Sequence, residues 1–201
     1  MGEGSGGYGG AAVGRQNNPA RPGVRLATSV SGKGRALVHR FGGVPGGPVV
    51  GGVDHRGAYR NFDNFCAALD APADRLRGDL DLLPAIAEAG LTRAGKDISQ
   101  GGIVGTALML AECSGVGIDI ALDAVTPPPG VGLERWLRSF PSFGFLLTAA
   151  PDAAAPLLAR FAARDIHAGV IGRVTEGSAV VLTGADGGAL FWDHASAPYL
   201  G

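Results

Sequence analysis

The sequence predicts an α+β fold, in which helices pack on a mixed β-sheet. Three observations favour this class. In residues 116–122 every second side chain is apolar, which is typical of a strand with one buried face. Residues 103–113 form an almost uncharged run, as expected of a buried helix. Residues 168–193 contain three short apolar segments separated by glycine-containing turns, which predict three closing strands.

The composition excludes several classes of function. Among the 201 residues, 46% are hydrophobic and 17% are charged, with a net charge of -1 and no basic block. Binding to nucleic acid through a basic surface is therefore not expected. No apolar run is long enough to span a membrane, and the N-terminus lacks the features of a secretory signal. The two cysteines are far apart and show no metal-ligand spacing, which fits a reducing compartment and predicts a cytoplasmic location.

The first 47 residues differ from the rest of the chain. Residues 1–24 are rich in glycine and show no periodicity, so they are predicted to be a flexible lead. Residues 25–31 and 35–41 predict two short strands, and the glycine- and proline-rich residues 42–48 predict a linker. We therefore expect residues 1–47 to hold the lead and remnant strands of a further domain, and residues 48–201 to form the main domain.

The main domain is predicted to open with a strand at residues 49–54, which is followed by a loop and a long helix. The helix spans residues 70–90, with Asp70 as its N-terminal cap. Pro84 is expected to break or kink this helix, because proline lacks the amide hydrogen that an interior turn requires. Gly90 is expected to end it.

The later elements follow from the same signals. A short strand at residues 93–99 leads into the apolar helix that begins near Gly101. Residues 133–140 predict one short helix, and residues 144–150 predict a buried strand. An alanine-rich segment with an internal proline predicts a last helix at residues 151–165, before the closing strands at residues 168–174, 179–183 and 189–193.

The segment between the short strand and the apolar helix, residues 96–102, is the first candidate site, and we name it the glycine turn. Ser99 can cap the helix, while Gly101 and Gly102 lack the Cβ atoms that would crowd a ligand. Free amides at the start of a buried helix attract an anion such as phosphate. Lys96 would add a positive charge, and Asp97 would orient a donor or accept a proton.

A structural explanation competes with each of these assignments. The glycine pair can simply form a tight turn with close packing, while Asp97 caps that turn and Lys96 points to water. Arg56 follows the end of a strand, where ligands often bind, but loop arginines are more commonly just solvated. The histidines are scattered along the chain, so no metal site is expected.

Three motifs resemble a known family. "GKDISQGGIVGTALMLAECSGVGIDIAL" (residues 95–122), "FPSFGFLLTAAP" (residues 140–151) and "AGVIGRVTEGSAVVL" (residues 168–182) are similar to the C-terminal domain of the AIR synthase-related, or PurM-like, superfamily. The resemblance extends from about residue 48 to about residue 192. It is nearest to an AIR synthase-like subgroup of unassigned substrate.

The resemblance implies a PurM C-terminal domain-like α/β sandwich and an ATP-dependent activity. Members of this superfamily use ATP to activate a substrate oxygen or to phosphorylate the substrate. In this chain the resemblance implies Asp97 and Lys96 as catalytic residues, and Ser99, Gly101, Gly102 and Arg56 as substrate- or phosphate-binding residues. ATP and Mg are implied as cofactors, yet their acidic ligands belong to an N-terminal domain with no corresponding positions here.

Two hypotheses follow. In the first, the chain is the substrate side of an AIR synthase-like enzyme, which binds a phosphorylated small molecule or a nucleotide. A partner chain would supply the N-terminal domain, unless the chain is truncated or the gene encodes a shortened protein. A homodimer of this chain is the other association considered. In the second, the chain is a truncated, non-catalytic remnant or a regulatory partner that keeps only the C-terminal fold.

Overall fold

The computed structural model describes residues 38–200, and the structural statements below concern that part of the chain. The strands are β1 (Pro48–Val53), β2 (Ala58–Tyr59), β3 (Asn64–Cys66), β4 (Ala94–Asp97), β5 (Gly117–Ala121), β6 (Phe140–Pro141), β7 (Gly144–Thr148), β8 (His167–Thr175), β9 (Ala179–Gly184) and β10 (Gly187–Asp193). The helices are α1 (Ala73–Leu80), α2 (Leu82–Glu88), α3 (Gly102–Ser114), α4 (Leu133–Arg138) and α5 (Ala154–Ala162).

Seven strands form the main sheet, in the order β10-β9-β5-β8-β1-β7-β4, and the short strands β2, β3 and β6 form a second sheet. The main sheet is mixed, because β5 and β9 pair in parallel, whereas all other neighbouring strands of this sheet pair antiparallel. Helices and a mixed sheet confirm the predicted α+β class.

Helices cover both faces of the main sheet. On one face, α3 and α4 form a core with strand residues that include Ile118 and Leu146, and α4 contributes Trp136. On the other face, α2 and α5 enclose a second core that contains Ile86, Leu147 and Phe161. The alternation of side chains along each strand supplies both cores at once, because successive residues point to opposite faces.

The predicted strands and helices of the main domain are largely confirmed. The alternating segment at residues 116–122 forms β5, where Ile118 and Ile120 are completely buried. The apolar run forms α3, which contains nine buried residues. The three closing segments form β8, β9 and β10. The small second sheet was not predicted, because two- and three-residue strands leave no periodic signal.

The predicted helix at residues 70–90 is broken into two helices, α1 and α2, which are separated at Asp81, three residues before the proline at which the break was expected. Pro84 is the third residue of α2, where the amide hydrogen that proline lacks has no partner within the helix. The prediction that Asp70 caps the helix is wrong, because Pro72 occupies the cap position without a side-chain hydrogen bond. Gly90, with a positive φ of 66°, follows the end of α2 as expected.

The proposed boundary at residues 47/48 remains a prediction, and the strand predicted at residues 25–31 lies outside the described residues. The described part of the second predicted strand, residues 38–41, is not a regular strand, although His39 accepts a hydrogen bond from Gly95 of β4. The predicted linker is hydrogen-bonded to the domain. The backbone amide of Gly46 donates to the carbonyl oxygen of Val174, and the amide of Val174 donates to the carbonyl oxygen of Gly47.

No helix in residues 38–200 combines the length and apolarity needed to cross a membrane.

Close packing between β1 and α5 generates a stability prediction. A Cβ added at Gly52 would overlap the ring of the fully buried Phe161, whereas a Cβ at Gly169 of β8 would meet nothing within 4 Å. We expect Gly52→Ala to lower the free energy of unfolding by about 1–3 kcal/mol, measured by urea denaturation. Gly169→Ala is the control within the same sheet and should change it by less. The smaller side chain of Phe161→Leu should recover part of the loss in the Gly52→Ala background; equal losses in the two glycine variants would contradict this packing.

Candidate functional site

The predicted site residues all lie at one end of the main sheet. Strands β1 and β4 both run antiparallel to β7, which lies between them. The C-terminal ends of β1 and β4 are therefore at the same end of the sheet, on either side of the start of β7. The pairings Val53 with Gly144 and Asp97 with Phe145 mark this end. The loop that carries Arg56 and the glycine turn therefore both begin at this end of the sheet.

Lys96 and Asp97 form an ion pair with each other. The Nζ atom of Lys96 lies 3.0 Å from Oδ1 of Asp97. The side chain of Lys96 is 17% exposed, whereas that of Asp97 is 65% exposed. The expectation that Lys96 points freely to water is therefore not met, since most of its side chain is covered. The two residues lie beside each other at the end of β4, before the start of α3.

The start of α3 differs from the predicted cap. The prediction that the Ser99 side chain caps the helix is wrong, because Gly101 is the cap residue and the helix has no side-chain cap hydrogen bond. Ser99 contributes its backbone instead, and its carbonyl oxygen accepts the amide hydrogen of Gly102 at 2.8 Å. The carbonyl oxygen of Gly101 accepts from Gly105 at 3.0 Å. Gly101 itself is exposed, so its face of the turn is open to solvent.

Gly102 is required for close packing between helices. It is buried and has a φ of 66°, which a residue with a side chain rarely adopts. A Cβ at this position would overlap the carbonyl oxygen of Leu137 and lie 2.6 Å from Cα of Arg138, both in α4. The prediction that Gly102 leaves room for a ligand is therefore wrong on this side, where α4 fills the space.

Arg56 is held in a buried network of charges. The carboxylate of Asp54, only 2% exposed, accepts hydrogen bonds from the backbone amide of Arg56 at 2.9 Å and from its Nε at 2.8 Å. Asp79 of α1, also 2% exposed, accepts from Nη2 of Arg56 at 3.3 Å. The hydrogen bond to Asp54 is the main reason why the pKa of Arg56 is raised, so the guanidinium remains charged.

Two more arginines complete this arginine–aspartate cluster, which consists of Asp54, Arg56, Arg75, Asp79 and Arg164. Arg164, which follows α5, lies 2.9 Å from Asp79 through Nη2, and Arg75 of α1 lies 3.6 Å from Asp54. The three guanidiniums exceed the two buried carboxylates by one positive charge. Outside the cluster, the exposed Asp165 lies 3.7 Å from Arg56.

Of these five residues, the sequence analysis identified only Arg56. The spacing of Arg75 and Asp79, four residues apart in one helix, was the available signal, because such a pair faces one side of a helix. Nothing in the local sequence indicated that this side faces the protein interior. Leu80, which shares the helix, is instead 50% exposed.

An aromatic stack occupies the opposite face of the same sheet end. The imidazole of His55 stacks on His167, with ring centroids 4.4 Å apart, and meets the edge of Trp136 at 5.3 Å. The Nε2 atom of His55 is buried without a hydrogen-bond partner, beside a cavity of about 20 Å³. Burial lowers the pKa of His55 to about 4, with a further contribution from His167, although Asp54 opposes the shift.

The described residues do not fit a bound Mg²⁺. Within residues 38–200, no three histidine, cysteine, aspartate or glutamate side chains are grouped in a way that would hold a metal ion. The buried carboxylates of Asp54 and Asp79 are already paired with arginines. No chemical step is therefore assigned to a metal held by this part of the chain.

Comparison with known proteins identifies related chains. The model of the family "AIR synthase related protein, C-terminal domain" matches residues 69–185. The uncharacterized protein sll0787 of Synechocystis sp. is 36% identical over 178 residues, which cover 88% of this chain and 55% of sll0787. The chain thus spans about half the length of this relative.

Solved structures share the fold at low sequence identity. Thermotoga maritima PurL, complexed with ATP, superposes with a TM-score of 0.62 and 17% identity, covering 79% of this chain and 26% of PurL. The hydrogenase maturation protein HypE, in complex with ATP, gives a TM-score of 0.57 and 19% identity, covering 78% of this chain and 53% of HypE. At such identities these likenesses concern the fold alone.

The lowered pKa of His55 predicts how stability depends on pH. In the unfolded chain this histidine titrates near its ordinary value of 6.5, and in the folded protein near 4. Between these two pH values the unfolded state binds more protons than the folded state. The stability that depends on neutral His55 is therefore fully present above pH 6.5 and is lost as the pH falls towards 4. We expect a loss of about 1–2 kcal/mol, reduced by partial solvent exposure.

Urea denaturation between pH 7 and pH 4 measures this loss. Because other groups also titrate in this range, the wild type is compared with His55→Gln and with His39→Gln, which changes an exposed histidine. The free energy of unfolding should fall less steeply in His55→Gln than in the other two proteins. Parallel curves for all three proteins would show that His55 is not the group responsible.

Proposed function

Because the chain belongs to the family of AIR synthase related proteins through its C-terminal domain, we propose that it forms the substrate and phosphate side of an ATP-dependent enzyme. In this proposal the enzyme transfers a phosphoryl group to activate a substrate oxygen. The substrate is a phosphorylated small molecule or a nucleotide. PurL and HypE structures that contain ATP support a nucleotide-dependent reaction on this fold.

The observation that carries the proposal is the grouping of charged residues at one end of the main sheet. The end of β4 carries Lys96 and Asp97, the exposed Gly101 begins α3, and Arg56 lies in the loop after β1. The ends of neighbouring strands and the starts of helices are common positions for ligands in mixed α/β proteins. The family match at residues 69–185 includes all of these residues except Arg56.

We assign roles by charge and position. Lys96 is the countercharge for a transferring phosphoryl group, and Asp97, which holds the Lys96 ammonium group at 3.0 Å, is the orienting acid. The exposed backbone at Gly101 faces the phosphate, with Ser99 as a hydroxyl donor. Arg56 binds the substrate. In phosphoryl transfer a protein contributes mainly positioning and charge stabilisation, which these residue types provide.

The proposal requires groups beyond residues 38–200. The carboxylates for Mg-ATP would come from an N-terminal domain in a partner chain. A cytoplasmic location is part of the proposal, because Cys66 and Cys113 are free thiols. The alternative, a non-catalytic regulatory partner, has no separate observation in its favour, but it makes a different prediction for Lys96.

Titration with ATP, followed by backbone amide NMR, tests the proposal. We expect shifts at residues 96–102 that saturate with ATP but do not appear with adenosine, because the phosphates provide the contact. Lys96→Ala should weaken ATP binding by roughly tenfold, as expected for the loss of one charge-assisted contact. Arg160→Ala, which removes an exposed positive charge from α5, is the matched control.

Three outcomes would count against the enzyme proposal. No shift at the glycine turn with ATP at millimolar concentration would remove its binding site. If Lys96→Ala and Arg160→Ala weaken binding equally, the attraction is only general electrostatics. If Lys96→Ala changes the stability of the chain but not ATP binding, the regulatory alternative is favoured.

A further inference from the structure

A second polar feature lies beside the arginine–aspartate cluster, between the small sheet and the start of α1. It is a cavity of about 160 Å³, roughly ten times the volume that one water molecule requires. Three arginines line it, namely Arg56, Arg60 and Arg75, together with Asp70. The other lining residues are small, apart from one cysteine. We name this cavity the arginine pocket.

Two of the three arginines are held in place from behind. Arg56 and Arg75 both contact the buried carboxylates of Asp54 and Asp79. Guanidinium groups fixed in this way lose little additional conformational freedom when they bind a ligand. The three arginines that line the arginine pocket are balanced by Asp54, Asp79 and Asp70, so the pocket offers an anion fixed guanidinium donors rather than a net positive charge.

Arg75 has an unused donor. Its Nε atom is buried and has no hydrogen-bond partner among the described residues; Oδ2 of Asp79, the nearby carboxylate oxygen, lies 3.8 Å away. Its Nη2 donates to the carbonyl oxygen of Ala67. A buried donor without an acceptor is unfavourable, and because this atom is covered it is not itself the atom that a bound anion would contact.

The rim of the arginine pocket is closed by a weak ion pair. Arg60 donates to Asp70, and their side chains are 42% and 81% exposed. Exposed ion pairs contribute little to stability, so an entering anion can replace the Asp70 carboxylate at Arg60. The carboxylate of Asp70 therefore marks a position at which Arg60 binds an anionic oxygen, and it competes with a ligand for that position.

We propose that the arginine pocket binds the phosphate group of a small phosphate monoester. Planar guanidiniums match pairs of phosphate oxygens, and three of them can contact one tetrahedral anion. Among the described residues that line this pocket none is aromatic, so a nucleobase would find no stacking surface. Free inorganic phosphate carries the same chemistry, and the experiment separates the two sources.

This assignment rests on the proposed function in one respect, namely that the bound phosphate group is part of the substrate. It adds a binding position distinct from the glycine turn, because the pocket lies on the α1 side of the sheet end and α3 covers the other face. Phosphate should shift the amides of residues 57–71, while ATP should shift those of residues 96–102. Either response can therefore be present without the other.

The experiment titrates the whole chain with ribose 5-phosphate, inorganic phosphate and ribose at constant ionic strength, followed by amide NMR. We expect both phosphates to bind and ribose not to bind, with the ester tighter than inorganic phosphate. Arg60→Gln should weaken binding by about tenfold, and Asp70→Asn should tighten it severalfold because the competing carboxylate is removed.

An equivalent exposed pair on α1 provides the controls. Arg77 and Asp74 are 77% and 94% exposed, and their side chains lie 3.1 Å apart. Arg77→Gln and Asp74→Asn make the same charge changes away from the pocket, so affinity should stay unchanged. Equal effects of Arg60→Gln and Arg77→Gln would overturn the proposal, as would an absence of phosphate binding. Tighter binding of inorganic phosphate than of the ester would assign the pocket to free phosphate and overturn the monoester.

Discussion

The ion pairing of two buried carboxylates is the constraint on which this end of the molecule depends. Asp54 and Asp79 are almost inaccessible to solvent, and an unpaired charge in such a position would be strongly unfavourable. Three arginines from different parts of the chain neutralise them. The cluster thereby ties the loop after β1 to α1 and to the residue that follows the last turn of α5.

The end of β1 divides the site into two environments. Asp54 and His55 are consecutive residues directly after β1, and the contacts of their side chains lie on opposite faces of the sheet. Asp54 joins the charged cluster beside α1, while His55 stacks between His167 and Trp136 on the face covered by α3 and α4. The side with Asp54 thus holds paired charges, whereas burial on the side with His55 disfavours a charged group, as the lowered pKa of His55 indicates.

Glycine at the start of α3 has a role that the sequence pattern leaves ambiguous. A glycine pair before an apolar helix is consistent with a ligand site or with close packing. At Gly102 the structure shows close packing, because the backbone of α4 occupies the space where a side chain would be. At Gly101 the turn is exposed, and that residue carries the proposal of anion binding. The two glycines therefore differ in role although they are adjacent.

The sequence alone determined the elements that have a periodic or compositional signature. The alternation in β5, the uncharged run of α3 and the three closing strands follow from local side-chain patterns, and so does the family resemblance. The tertiary structure alone decided the small second sheet and the partners of Arg56. Those features arise from contacts between distant segments, such as Asp54 with Arg75 and Asp79 with Arg164, which no local pattern records.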